Sequence, residues 1–271
     1  MLKTADREMT RLLGAGDPTP VECVNAEGQS PLFLTCEHAG RAVPAALGDL
    51  GVLPEEMDRH IAYDVGADGL SRRLSEQLDA PLILQRYSRL VIDCNRPFAA
   101  ADCFVEESDG TLVPANTTLS HLERKRRYEE IHQPLHEAIS EALDKRQAAG
   151  RPTMLVSVHS FTPVMRATGA VRNFELGLLH NRDRRFADAL AETFRAANPD
   201  IMVRLNEPYI VDDMSDYTIP MHGEKRRIPH VLLEVRHDLI FDAQGQVDWA
   251  ARLSGPLQRA ADLLKEKTDG R

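Results

Sequence analysis

Three apolar runs of this chain each end in titratable side chains: Phe33-Leu-Thr-Cys is followed by Glu37 and His38, Met154-Leu-Val-Ser-Val by His159 and Ser160, and Val231-Leu-Leu by Glu234. In open α/β sheets the carboxyl ends of strands border the ligand crevice, so imidazoles and carboxylates from distant parts of a chain can converge there. Asp64, in His60-Ile-Ala-Tyr-Asp64, precedes a helical pattern and adds a carboxylate to the same rim. Two histidines and one carboxylate leave zinc an open position, which suits acidifying water and polarising an amide carbonyl. Amide hydrolysis also needs a proton carrier for the departing amine, and Glu234 is placed for that task. Each residue alone reads more simply as a surface or hydrogen-bonded group; the three strand ends together point to a metal-assisted hydrolase.

A second constellation is basic. Arg86-Tyr-Ser-Arg89 leads through the apolar run Leu90 to Cys94 into Asn95-Arg96-Pro97. A guanidinium grips a carboxylate through two parallel hydrogen bonds, so Arg89 and Arg96, with Asn95 as a neutral donor, form a candidate clamp for an acidic substrate. The plainer alternative pairs Arg96 with Asp93 or Asp102 and leaves Arg89 on the surface. His222 and Tyr217 lie in a long irregular stretch and are candidates to reach a substrate or stabilise an oxyanion. His121, His132 and His136 lie on or beside the charged run Glu123-Arg-Lys-Arg-Arg127, which reads as a solvated helix face without a role.

These residues need a scaffold, and the hydrophobic pattern supplies one. Short runs at Pro31 to Cys36, Pro81 to Leu84, Leu90 to Cys94, Met154 to Val158, Leu176 to Leu179 and Val231 to Leu233 read as buried strands. Between or after them lie helical faces: Ala67, Leu70, Leu74 and Leu78; Ile131, Leu135, Ile139 and Leu143; Phe186, Leu190 and Phe194; and Leu253, Leu257, Ala261 and Leu264. Ser120 and Glu123 have capping-box spacing. The alternation predicts an α/β fold, a three-layer sandwich with a central mixed, largely parallel sheet. A single domain is expected over residues 1–271, with its core at about 31–267. Asn95 to Thr118 and Leu205 to Pro229 are the longest irregular stretches and therefore candidate lids.

The chain has 271 residues and a formal net charge of -9, a field that repels phosphates and argues against nucleic acid or an anionic membrane as partner. Charges at Asp6, Arg7, Glu8 and Arg11 interrupt the stretch where a secretion signal needs an apolar run, and no window approaches a membrane span, so a cytoplasmic protein is expected. The four cysteines show no C-x-x-C pair and read as reduced thiols. Nucleophile-elbow, phosphate-loop, dinucleotide-turn and H-E-x-x-H patterns are all missing.

Thr35-Cys-Glu-His-Ala-Gly40, His60-Ile-Ala-Tyr-Asp64, Ser88-Arg-Leu-Val-Ile-Asp-Cys-Asn-Arg-Pro97 and Val158-His-Ser-Phe161 together resemble the N-formylglutamate amidohydrolase family. The resemblance runs from about Pro31 to Asp238, and the first and third motifs are its most specific parts. It implies a zinc-exopeptidase-like fold, one Zn2+ per chain with other divalent metals able to substitute, and hydrolysis of N-formyl-L-glutamate to formate and glutamate in histidine degradation. The partner is then a small anionic N-acyl amino acid. A further likeness to cell-wall amidases assigns zinc to His38, Asp64 and His159 and acid/base duty to Glu234, with Glu37 or His60 open as alternative ligands. The rival readings are an amidohydrolase or peptidase for another N-acyl amino acid or small peptide, and a metal-free binding protein for an acidic metabolite.

Overall fold

The computed structural model describes residues 11–269. Its centre is a seven-stranded sheet in the order β1-β3-β2-β6-β9-β7-β8. The strands are β1 (Val21–Val24), β2 (Leu32–Cys36), β3 (Leu82–Gln85), β6 (Met154–Phe161), β7 (Leu176–Leu179), β8 (Val203–Leu205) and β9 (His230–Arg236). β3, β2, β6 and β9 run parallel; β1 joins antiparallel at one edge, and β7 pairs antiparallel with β9 and parallel with β8 at the other. The sheet is thus mixed and largely parallel, as its nearly unbroken apolar runs require.

Alternation along each strand divides the core in two. Leu32, Leu34, Val156, Val158, Val231 and Leu233 pack under α2 (Ala67–Leu78), α5 (Arg185–Ala197) and α6 (Ala243–Asp269). Phe33, Leu155 and Leu232 face the opposite layer, built from α4 (Gln133–Ala148) and the long loops. Because side chains alternate with period two, Thr35, Glu37, Ser157, His159 and Glu234 share that second face, at the carboxyl ends of the parallel strands. The expected helical faces are those that pack: Leu70, Leu74, Ile139, Leu143, Phe186, Leu190, Leu253 and Leu257 are all buried. Two short helices, α1 (Pro54–Met57) and α3 (His121–Arg127), and a hairpin of β4 (Glu107–Ser108) and β5 (Thr111–Leu112) are the remaining α-helices and strands among the described residues. Ser120 and Glu123 form the anticipated capping box at the start of α3.

Two expectations are corrected. Leu90 to Cys94 is buried but is not a strand, because its backbone is satisfied by side chains in place of a ladder. Arg127 donates to the Val91 carbonyl at 2.8 Å, Asn116 to that of Leu90 at 2.9 Å and His136 to that of Cys94 at 2.7 Å. Arg127, His132 and His136 accordingly do not lie on a solvated face; all three are buried. The edge strands β1 and β8 lack a long apolar run because one side of each is unpaired. All four cysteines are free, with Cys36, Cys94 and Cys103 buried. Among the described residues no helix is long and apolar enough to cross a membrane.

Candidate active site

His38 follows β2, His159 lies within β6, and Asp64 sits just before α2. The turn into α2 depends on Gly66, at φ +81°, where an added Cβ would meet the Ile240 carbonyl oxygen at 2.1 Å. The Asp64 amide donates to the His38 carbonyl at 2.9 Å, and the Asp64 carboxylate accepts from the Ser160 amide at 3.2 Å. Asp64 is therefore fastened to both histidine-bearing segments. His38, Asp64 and His159 are buried, and each offers a ligand atom within 4.8 Å of the others.

The two imidazoles are oriented alike. His38 donates from Nε2 to Asp93 Oδ1 at 2.7 Å, which leaves Nδ1 facing Asp64 Oδ2 at 3.6 Å with no hydrogen-bond partner. His159 donates from Nε2 to Glu37 Oε2 at 2.9 Å and from Nδ1 to Asp64 Oδ2 at 2.8 Å. Each histidine thus turns Nδ1 inward while a buried carboxylate holds its outer nitrogen, the arrangement that fixes tautomer and ring orientation at metal sites. Burial opposes charge on Asp64, but attraction to His38 and the hydrogen bond from His159 hold its pKa well below the carboxylate range. Burial likewise disfavours charge on His159, yet its bonds to Asp64 and Glu37 raise its pKa well above the ordinary value. The proton on His159 Nδ1 occupies the position that a cation would take by displacing it. An orphaned buried Nδ1, a proton held between imidazole and carboxylate and the mixed N/O donor set all fit a divalent metal.

Glu234 is the direct register partner of His159 across β6 and β9. Its Oε2 is buried without a hydrogen-bond partner. Burial pushes its pKa up to about 8, with His159 opposing and Asp64 reinforcing the shift. Gly177 of β7 pairs with Glu234 on the other side. With these four groups, Arg89, Asn95, Arg96, Tyr209 and Asp216 line a cleft of about 160 Å3, whose apolar wall is Leu179, Val211 and Leu232.

The sequence matches known proteins over this same region. The profile of the N-formylglutamate amidohydrolase family covers residues 30–241, from the entry to β2 to beyond β9, and encloses every residue of the cleft. The chain belongs to the N-formylglutamate amidohydrolase family. An N-formylglutamate deformylase of Pseudomonas putida is 30% identical over 152 residues, 49% of this chain and 53% of that protein, so the chain spans about half the length of that curated relative. The crystal structure of a gene product of Agrobacterium tumefaciens superposes with a TM-score of 0.90 at 35% identity, covering 94% of this chain and 100% of that one. An N-formylglutamate amidohydrolase from Ralstonia eutropha JMP134 shares the fold, with a TM-score of 0.70 at 20% identity over 92% of this chain and 100% of its own.

The other anticipated residues of this family member are distributed less simply. Glu37 lies on the far side of His159, where it also accepts from Ser157 at 2.7 Å and Thr218 at 2.8 Å. His60 stands on the cleft wall, with Nε2 3.4 Å from Asp109 Oδ2. Arg89 is not a free surface cation: it donates to Asp93 Oδ2 at 2.6 Å and lies 3.4 Å from Asp64 Oδ1. Arg96 donates to Asp102 at 2.7 Å. The Asn95 amide is committed to a loop, donating to Asp216 at 2.7 Å and accepting from the Tyr217 and Thr218 amides at 3.1 and 3.0 Å. His222 and Tyr217 are absent from the cleft lining. They pack behind it because the loop that carries them is drawn inward by Asn95 and Glu37.

There they join His132 and His136, which sequence reasoning had left without a role. His136 accepts at Nδ1 from His222 Nε2 at 3.0 Å, and Tyr217 sits 4.4 and 4.9 Å from the rings of His136 and His132. Two π-helical turns, Tyr128–His132 and Ile219–Glu224, deliver His132 and His222. Burial lowers the pKa of both to about 4, opposed at His132 by its bond to the Arg96 carbonyl and reinforced at His222 by Arg226. Unfolding releases them to about 6.5, so their contribution to stability is complete above that pH and lost as pH falls toward 4. At about 1.4 kcal/mol per unit, each contributes on the order of 3 kcal/mol. Urea unfolding should show a midpoint at pH 4.5 well below that at pH 7, with much of the difference removed in a His132→Gln, His222→Asn double variant. An equally acid-sensitive double variant would contradict this account.

Proposed function

We propose that this protein is a metal-dependent amidohydrolase that cleaves N-formyl-L-glutamate to formate and glutamate. The observation that carries this reading is the matched pair of inward-facing Nδ1 atoms about Asp64, with the unpartnered Glu234 carboxyl beside them, inside the family match. His38, Asp64 and His159 would hold the ion, zinc by preference for this N/O set. A bound ion supplies Lewis acidity, polarising the amide carbonyl and acidifying water. Glu234 accepts the proton of the attacking water and delivers it to the departing nitrogen. A cation held by the trio would lower the Glu234 pKa from about 8, toward the range in which a carboxyl both takes and gives a proton at neutral pH. Asp93 and Glu37 keep the imidazoles aimed inward. Arg96, and Arg89 where its bonds to Asp93 leave it room, meet a carboxylate of the substrate, and Asn95 positions the loop that closes the cleft.

Equimolar zinc in the purified protein, formate release from N-formylglutamate, loss of that release on chelation and its return with zinc are the expected results. Bound zinc with turnover only of N-acetyl amino acids or dipeptides would retain the hydrolase and replace the substrate. Absence of both metal uptake and hydrolysis across that panel would defeat the reading in favour of a binding protein.

A further inference from the structure

The segment after β8 crosses the cleft between two fixed points. At one, the Glu207 carbonyl oxygen rests on Gly177: an added Cβ there would lie 2.1 Å from that oxygen and 3.1 Å from Cβ of Glu234. At the other, Asp216 is bound to Asn95. Tyr209 follows the first crossing by two residues and lines the cleft with His38, Asp64, His159 and Glu234. Its phenol oxygen accepts from Arg172 Nη1 at 3.1 Å, and the guanidinium carbon lies 4.9 Å from its ring centroid. Arg172 is itself located by the Phe161 ring, at 5.9 Å, and the Thr162 carbonyl, at 3.4 Å. Phe161 ends β6, so the phenol is referenced to the strand that carries His159.

A tyrosine hydroxyl has one proton to give. With Arg172 supplying the hydrogen bond that the oxygen accepts, that proton is left for a partner in the cleft. Tyr209 is 43% exposed, but partial loss of water and the nearby Glu234 hold the phenol above its ordinary pKa, with Arg172 opposing, so it stays protonated at neutral pH.

We propose that Tyr209 is a catalytic residue whose O–H donates a hydrogen bond to the scissile carbonyl oxygen as negative charge develops on it, and that Arg172 is the positioning residue that aims it. The phenol keeps its proton throughout, and the proton transfers remain with Glu234. This rests on the amidohydrolase reading. A donor that meets charge developing only in the transition state affects kcat more than ground-state binding.

The test is steady-state kinetics of Tyr209→Phe with N-formylglutamate, alongside calorimetric binding of the same compound to Glu234→Gln with and without Tyr209→Phe. Expected are a kcat loss of about 10²- to 10³-fold, a KM within about threefold of the parent, and unchanged binding in the Glu234→Gln background. Arg172→Met should approach the Tyr209→Phe rate and add little to it when the two are combined, while Arg172→Lys recovers part of the loss. A Tyr209→Phe enzyme with parental kcat, or one altered only in KM and binding, overturns the proposal while leaving the amidohydrolase intact. A parent protein that hydrolyses no N-acyl amino acid overturns both.

Discussion

Glu234→Gln should lower kcat by about 10³-fold or more while the protein still takes up equimolar zinc. General acid/base groups contribute about 10² to 10⁴ in rate, and here one carboxyl serves both the attack and the departure of the amine. The substitution is nearly isosteric, so packing against Gly177 and the register with His159 persist. The buried, unpartnered Oε2 becomes an amide group that cannot accept and return a proton. Zinc uptake should survive because the three donor atoms belong to His38, Asp64 and His159. Metal analysis and formate release on one preparation separate the two effects; parental turnover would remove Glu234 from the mechanism, and lost zinc would make it a ligand.

Glu37→Ala should destabilise the metal-free fold by about 3–5 kcal/mol, the usual consequence of removing one member of a buried ion pair. Glu37 is 1% exposed. Its carboxylate accepts from His159, Ser157 and Thr218, joining β2, β6 and the loop before β9. Burial opposes its ionisation, but the hydrogen bond and charge of His159 hold its pKa well below the carboxylate range, so the native group is an anion. Without it a cationic imidazole and two hydroxyls lose their partner in a place that water reaches poorly. Zinc affinity should also fall about 10- to 100-fold, since the outer nitrogen of His159 is no longer held. Urea unfolding in a chelator and competition with a zinc indicator measure the two effects. Glu37→Gln, which keeps the shape and one acceptor, should fall between; a loss below about 1 kcal/mol in Glu37→Ala would show that the pair contributes little.

How far these roles could be read in advance differs from residue to residue. The placement of His38, His159 and Glu234 was legible because a strand is a local pattern: four or five apolar residues, a turn, and a polar group at the end identify both the element and its rim. The apolar run Leu90 to Cys94 carries the same signal and misleads, since its backbone partners come from Arg127, Asn116 and His136, 36, 26 and 42 residues away. Asn95 looked like a substrate donor, but its amide is spent on a loop more than 120 residues further along. Tyr209 is marked in the sequence only by its place in the long irregular stretch Leu205 to Pro229, because nothing in its neighbourhood shows that Glu207 will lie across Gly177.

The sequence by itself determined the alternation of strands and helices, the strand ends at which the titratable groups sit and the family to which the chain belongs. All of these follow from short-range periodicity or from motifs a few residues long. Only the tertiary structure decided which nitrogen of each histidine faces inward, that Glu37 orients His159 from behind, and that His132, His136 and His222 are buried while Tyr209 faces the cleft. Those choices belong to contacts between distant segments, such as Glu37 with Thr218, 181 positions apart. The sheet brings such groups together, and burial then makes an unpaired donor or charge too costly to leave unsatisfied.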